Sequence, residues 1–143
     1  MRLSKTSAHA ALAIAFLANR INDPITQARQ VAEYLSIPTD SALKVLQNLA
    51  RRGLINSQLG RGGGYRLEKP ADQITLLDVV EATDGPIDAA MPLRLTDPGA
   101  GPGLDLLQSI CEQAAEAVRR ELSGVTVADL ARAQEGAVLT ESR

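Results

Sequence analysis

The chain has no tryptophan, only three aromatic residues (Phe16, Tyr34 and Tyr65), one histidine and one cysteine among 143 residues. With so few aromatics the core has to be assembled from Leu, Ile, Val and Ala, the composition of packed helices more than of a β-sandwich. The single cysteine, Cys111, excludes an intramolecular disulfide framework and a zinc site built on several cysteines. No run reaches the ~20 apolar residues of a membrane span, and "MRLSKTSAHAALAIAFLANR" lacks a small-residue cleavage site after its apolar stretch. The expectation is a cytoplasmic protein with no membrane partner. Catalysis is short of parts as well. One histidine, one cysteine without a neighbouring base and no clustered carboxylates leave no constellation for acid–base or nucleophilic work, so no catalytic residue is assigned.

What is present is 45% hydrophobic residues, enough for one real core, and a marked division of charge. Residues 1–70 carry ten basic and four acidic side chains, a net +6, while the remainder carries five basic and thirteen acidic, a net −8. Such asymmetry points to a polyanionic partner for the first half.

Ser4 can cap a first helix over about 4–21, with Leu12, Ala15, Phe16 and Ala18 at helical spacing before "NRINDP" stops it. Thr26 is the capping candidate for a short second helix, "QARQVAEYL", and "SIPTD" follows as a turn. Thr39 or Asp40 can cap a third, in which Ala42, Leu43, Val45, Leu46 and Leu49 alternate with Lys44, Gln47, Asn48, Arg51 and Arg52 before Gly53 ends it. Two helices joined by a short turn, the second with a cationic and amide-bearing side, make a helix-turn-helix.

The stretch "LINSQLGRGGGYRLEK" then places four glycines and two arginines between short apolar runs. No Lys-Ser or Lys-Thr follows as in a phosphate-binding P-loop, and "GRGGGY" does not fit the dinucleotide fingerprint. The reading left is a hairpin with "GRG" at its tip, the wing of a winged helix, with Arg61 placed to reach a minor groove or a phosphate. Thr75 caps a fourth helix over "ITLLDVVEATDG". "PIDAAMPLRLTDPGAGPG", residues 86–103, reads as a mobile loop. From Leu104 to Leu122 a stripe of Leu104, Leu107, Cys111, Ala114, Ala115, Val118 and Leu122 defines a long helix that must bury itself on something, most simply a second copy. "GVTVADLARAQ" adds a short capped helix.

The fold class is therefore mainly α: a winged helix-turn-helix domain over 1–84, a Pro/Gly-rich loop over 85–103, a dimerisation helix and terminal helix over 104–136, and a disordered tail over 137–143. The expected partners are double-stranded DNA and a second copy of the chain. Ser4, Lys5, Thr26 and Thr39 would hold the DNA backbone, and Ser41, Lys44, Gln47 and Asn48 would reach base edges, lysine suiting guanine and the amides adenine. Arg51, Arg52 and Arg61, with Gly62 and Gly63 in the wing, would supply phosphate or minor-groove contacts.

The stretches "MRLSKTSAHAALAIAFLA", "LINSQLGRGGGYRLEKPADQITLLDVVEATDG" and "ELSGVTVADL" closely resemble the Rrf2-type family of bacterial winged helix-turn-helix transcription regulators, typified by the iron-sulfur regulator IscR, the nitric-oxide regulator NsrR and the cysteine-metabolism regulator CymR. The resemblance runs over nearly the whole chain in the family's order. It implies a dimeric DNA-binding protein whose long helix crosses to the partner subunit.

The departures concern the metal. Cluster-binding members carry three cysteines in the loop after the fourth helix, and here that loop has none. Counting back from "VTVADL", the last family ligand would fall at Asp105, six residues before Cys111. The acidic and histidine positions that complete the cluster in some members read Ala8 and Leu12, and His9 stands where the family has an aromatic residue, which favours a packing role over ligation. An iron-sulfur cluster needs several thiolates or substitutes at set geometry, so no cofactor is expected. Cys111 reads as a small apolar residue on the buried stripe, with a redox switch as the alternative. The function expected is a homodimeric repressor on a partly palindromic operator. The alternatives are redox or iron-sulfur sensing through Cys111 and atypical ligands, or control by a small-molecule or protein effector.

Overall fold

A computed structural model describes residues 1–93 and 96–141, so residues 94–95 of the expected loop and 142–143 of the expected tail lie outside the described residues. The element order is α1 (Lys5–Ala18), α2 (Ala28–Leu35), α3 (Thr39–Arg51), β1 (Ile55–Gln58), β2 (Gly64–Leu67), α4 (Leu76–Asp84), α5 (Gly101–Ser123) and α6 (Val127–Glu141), with single 3-10 turns at Ala71–Gln73 and Pro98–Ala100.

α1 is apolar around most of its circumference, which is the pattern of a central helix. Ala10, Ala13, Ile14 and Ala15 are fully buried, and α1 packs against α3, α4 and α6. Its alanines leave room for that many neighbours, and the remaining volume is filled by Val31, Leu46, Leu49, Ile74, Val79 and Val127. Ser4 caps it as expected, its hydroxyl accepting the Ser7 N–H at 3.0 Å. Phe16 and Tyr34 stack with centroids 4.3 Å apart, and the Tyr34 hydroxyl accepts from Gln134 Nε2 at 2.7 Å, tying α6 to α2.

α2 ends in a left-handed residue, Ser36 (φ 54°). The Ile37 N–H reaches the Ala32 carbonyl at 3.0 Å and the Ser36 N–H the Glu33 carbonyl at 3.2 Å, a double closure that reverses the chain into α3. The same device, with Gly53 (φ 71°) in the left-handed position, ends α3 and launches β1. β1 and β2 pair antiparallel with Ile55 opposite Leu67 and Ser57 opposite Tyr65.

Several expectations are corrected. Thr26 does not cap α2: Gln27 holds that position, and its N–H donates to Gln30 Oε1 at 2.9 Å. Thr26 instead exchanges backbone hydrogen bonds of 2.9 and 2.8 Å with Tyr65, extending the hairpin by one bridge, and its side chain is fully buried. Neither Thr39 nor Asp40 caps α3. Pro38 precedes its first turn, and Thr39 is already helical, because proline's restricted φ presets the entry. α5 begins at Gly101, inside the expected loop, after Asp97 accepts the Gly99 N–H at 2.8 Å and starts the turn. α6 continues to Glu141, so the described part of the expected tail is helical and Gly136 lies within the helix without ending it.

Candidate nucleic-acid interface

The face expected to meet DNA is built from the start of α1, the outer side of α3 and the tip of the hairpin. On α3, Ala42, Val45, Leu46 and Leu49 point into the core, so helical periodicity turns Ser41, Lys44, Gln47 and Arg51 to solvent, with Asn48 half-buried beside them. Ser4 and Lys5 open α1 directly opposite. Together with Ser41, Lys44 and Asn48 they line one groove of about 520 Å³. The structure thus gathers five of the sequence-derived candidates, drawn from segments some forty residues apart, on a single surface.

Asp84, from the end of α4, also lies in this groove. The Ser4 hydroxyl donates to Asp84 Oδ1 at 2.6 Å, and the Ser7 and Thr83 hydroxyls pair at 2.6 Å just beneath. Partial burial raises the Asp84 pKa, but the hydrogen bonds from Ser4 and Ser7 outweigh it and hold the carboxyl below its ordinary value. Sequence reasoning missed Asp84 because nothing within α4 marks it. His9, read from the sequence as a packing residue, is half-buried and lines the same groove.

The wing presents a five-residue loop between Gln58 and Gly64. Gly60 (φ 95°) and Gly62 (φ 71°) adopt conformations that side chains disfavour, and Gly63 closes the loop by donating to the Gly60 carbonyl at 3.0 Å. A Cβ on Gly64 would lie 2.5 Å from the Thr26 carbonyl oxygen, so glycine is required where β2 meets the Thr26 segment. Arg61 is exposed at the tip, and among the described residues it has no hydrogen-bond or ion-pair partner. Gly62 and Gly63 face Gln27, Arg29 and Gln30 at the start of α2 across a smaller groove of about 280 Å³.

Two candidates are placed otherwise. Thr26, fully buried, offers no side chain to a ligand. Arg52 turns toward α4 and makes a long contact, 3.5 Å, with the Glu81 carbonyl.

Cys111, expected on a buried stripe, is exposed on α5. Of that stripe only Ala115 and Leu122 are buried and Leu107 is 56% exposed, while Leu106 and Ile110 outside it are 64% and 54% exposed. Within one chain the winged domain covers only the C-terminal half of α5; the cover expected for the rest of the stripe is a second copy. The first residues of the segment between α4 and α5 are tied to α5, since Arg119 Nη1 donates to the Ile87 carbonyl and Gln108 Nε2 to the Ala89 carbonyl at 3.1 Å.

A winged helix-turn-helix with a cationic, polar groove and a basic wing tip defines the class: a DNA-binding transcription regulator. The family model described as Rrf2, iron-dependent transcriptional regulator, matches residues 3–133, and the chain belongs to that family. A protein of Mycobacterium tuberculosis (strain H37Rv) named as an HTH-type transcriptional regulator is 30% identical over 132 residues, 92% of this chain and 81% of that protein. Protein aau3 of Rhizobium meliloti is 30% identical over 136 residues, 94% and 87% of the two chains. The fold is similar to that of CymR, the global cysteine regulator of B. subtilis, with TM-score 0.71 and 23% identity over 92% of this chain and 97% of that one. It is also similar to T. potens IscR, with TM-score 0.72 and 19% identity over 96% and 90%. The family is one of transcriptional regulators, not enzymes. No helix among the described residues is long and apolar enough to cross a membrane.

The family's description names iron, and the donor set here does not fit an iron-sulfur cluster. Among the described residues no three His, Cys, Asp or Glu side chains gather where they could hold a metal. The first-helix positions that donate in cluster-binding members are Ala8 and Leu12, which carry no ligand atom. One thiol per chain, on an exposed helix face, cannot supply the usual four ligands.

Proposed function

We propose that the protein is a homodimeric repressor that binds a partly palindromic operator and carries no iron-sulfur cluster. The observation that supports this reading best is the groove in which Ser4 and Lys5 of α1 meet Ser41, Lys44 and Asn48 of α3. Lys44 and Asn48, on the outer face of α3, are the groups suited to base edges in a major groove. Ser4, Lys5 and Thr39 lie at helix starts, where backbone amides and short polar side chains suit phosphates. Gln47 and Arg51 flank that face, and Arg61 on the wing suits an adjacent minor groove or phosphate.

A second copy covers the exposed face of α5 in this reading. Leu106, Leu107 and Ile110 make an apolar strip that a lone chain would leave in water, and a twofold partner presents the same strip in return. Two recognition helices held this way would meet half-sites about one helical turn apart. Occupation of an operator overlapping a promoter would repress.

The test combines anaerobic purification with DNA binding. The expected result is a colourless dimer that binds its own upstream DNA with strong salt dependence and silences a promoter placed there. Stoichiometric iron and acid-labile sulfide would overturn the cluster-free reading, and loss of specific DNA binding under every condition would overturn the rest.

A further inference from the structure

His9, the only histidine of the chain, lies in the groove assigned to DNA. It is half-buried there, among apolar wall from Ile37, Pro38 and Val45 and polar groups from Ser41, Lys44 and Asn48. Its imidazole makes no hydrogen bond or ion pair with the described residues, and neither ring nitrogen is sealed from water. A histidine that only fills space at a helix contact usually has its polar nitrogens paired within the protein. Here both are left to whatever enters the groove.

The charged groups lining the groove with His9 are Lys5 on its own helix, Lys44 on α3 and Asp84 on α4; α2, α6 and the hairpin place no charged side chain there. Lys5 and Lys44 repel a protonated ring, and Asp84 attracts it although that carboxylate already accepts from the Ser4 hydroxyl at 2.6 Å. A duplex changes the balance. Its phosphates bring several negative charges into the groove and displace part of the water that screens them, which favours the protonated ring. That ring has two N–H donors where the neutral one has a single donor. Histidine is also the side chain whose ordinary titration falls between pH 5 and 8.

We propose that His9 is a further DNA-contact residue, which takes up a proton as the duplex fills the groove and then holds a backbone phosphate as a cation. The inference deepens the DNA-binding reading above and rests on it. A phosphate is the partner because Ser4 and Lys5, one helical turn before His9, already suit the DNA backbone. The complex then binds more protons than the separated protein and DNA, so affinity rises as pH falls through the range in which His9 titrates.

The experiment uses the full-length dimer, freed of any histidine tag, and a short duplex of its own upstream DNA. With one histidine per chain, ¹³C-histidine labelling gives one imidazole signal, and NMR follows its titration with and without the duplex. The titration midpoint should rise by about half a pH unit or more in the complex, and affinity at constant ionic strength should be about fivefold or more higher at pH 6 than at pH 8. The slope of log affinity against log salt should also be steeper at pH 6, by up to roughly one unit per chain. His9→Phe, which keeps a ring without nitrogens, should lose most of the pH dependence, and His9→Lys should bind tightly at both pH values. Any contribution of the Met1 amino group, outside the groove, persists in both variants.

A midpoint that DNA leaves unmoved, or a pH dependence unchanged in His9→Phe, overturns the role of His9 while leaving the DNA-binding reading intact. The midpoint is read on the wild type, so it decides the question even where a variant does not fold. Failure of the wild type to bind the duplex at either pH overturns the proposed function, and this inference with it.

Discussion

Thr75 and Thr126, fifty-one residues apart in the chain, face each other across an antiparallel bridge, each at the start of a helix that it caps. The Leu76 N–H donates to the Val125 carbonyl and the Val127 N–H to the Ile74 carbonyl, both at 2.8 Å. Asp78 and Asp129 complete the two caps by accepting the N–H of their own threonine, at 2.9 and 2.8 Å. The arrangement locks α6 onto the winged domain. Thr75→Ala and Thr126→Ala should each cost about 1 kcal/mol, and because the caps share the bridge the double variant should depart from additivity by ~0.5 kcal/mol or more. Urea unfolding of the four proteins measures both.

Burial without a partner leads to the next expectation. The Thr26 hydroxyl is enclosed, and among the described residues it finds no hydrogen bond. Thr26→Val keeps the shape and removes the unpaired polar group, so it should be neutral or stabilising by up to about 1 kcal/mol. Gly64→Ala, one strand away, should lose ~2 kcal/mol or more because its Cβ meets the Thr26 backbone. A Thr26→Val protein clearly less stable than wild type in thermal unfolding would contradict this.

Ser36 adopts a left-handed conformation that glycine adopts without strain. Ser36→Gly should raise stability by about 0.5 kcal/mol, the relief of strain being offset in part by the freer unfolded chain. DNA affinity should be unchanged, since the turn between α2 and α3 keeps its geometry.

On the proposed interface, Arg61→Ala should weaken binding uniformly across operator sequences and flatten the plot of log affinity against log salt by roughly one unit. Lys44→Ala should lower the preference for operator over unrelated DNA, by about 1–3 kcal/mol if Lys44 pairs with a guanine. Equal losses on both DNAs would assign Lys44 to a phosphate.

Acid should act through the carboxyls that the fold keeps ionised. Burial raises Asp84, but the hydrogen bonds from its serine partners together outweigh it, and Asp129 is lowered chiefly by the Thr126 N–H, with the Thr126 hydroxyl and Arg132 adding to it. A depressed folded pKa gives stability that is present above the ordinary carboxylate value, about 4, and lost as pH falls through the folded value. Melting temperature should therefore decline below that pH, and Asp84→Asn should show a shallower decline than wild type.

Much of this was legible because its signals are local. Helix caps at Ser4 and Thr75 are read from a side chain and an amide three residues on, and the wing from glycines at its tip. Thr26 misled because a threonine before a helix also resembles a cap; the bridge to Tyr65 that buries it has no mark in its own segment. For Cys111, periodicity reveals an apolar stripe without revealing how much of it the same chain covers.

The sequence by itself determined the order and polarity of the helices, the hairpin and its tip, the uneven charge and the lack of cluster ligands, since each depends on residue identity or on spacing within one turn. Only the tertiary structure decided that Ser4 and Lys5 join Ser41, Lys44 and Asn48, that Thr75 meets Thr126, and that His9 and Asp84 stand in one groove. Those contacts join segments far apart in the chain. They are set by how the helices pack around α1, and no periodicity within a single segment records them.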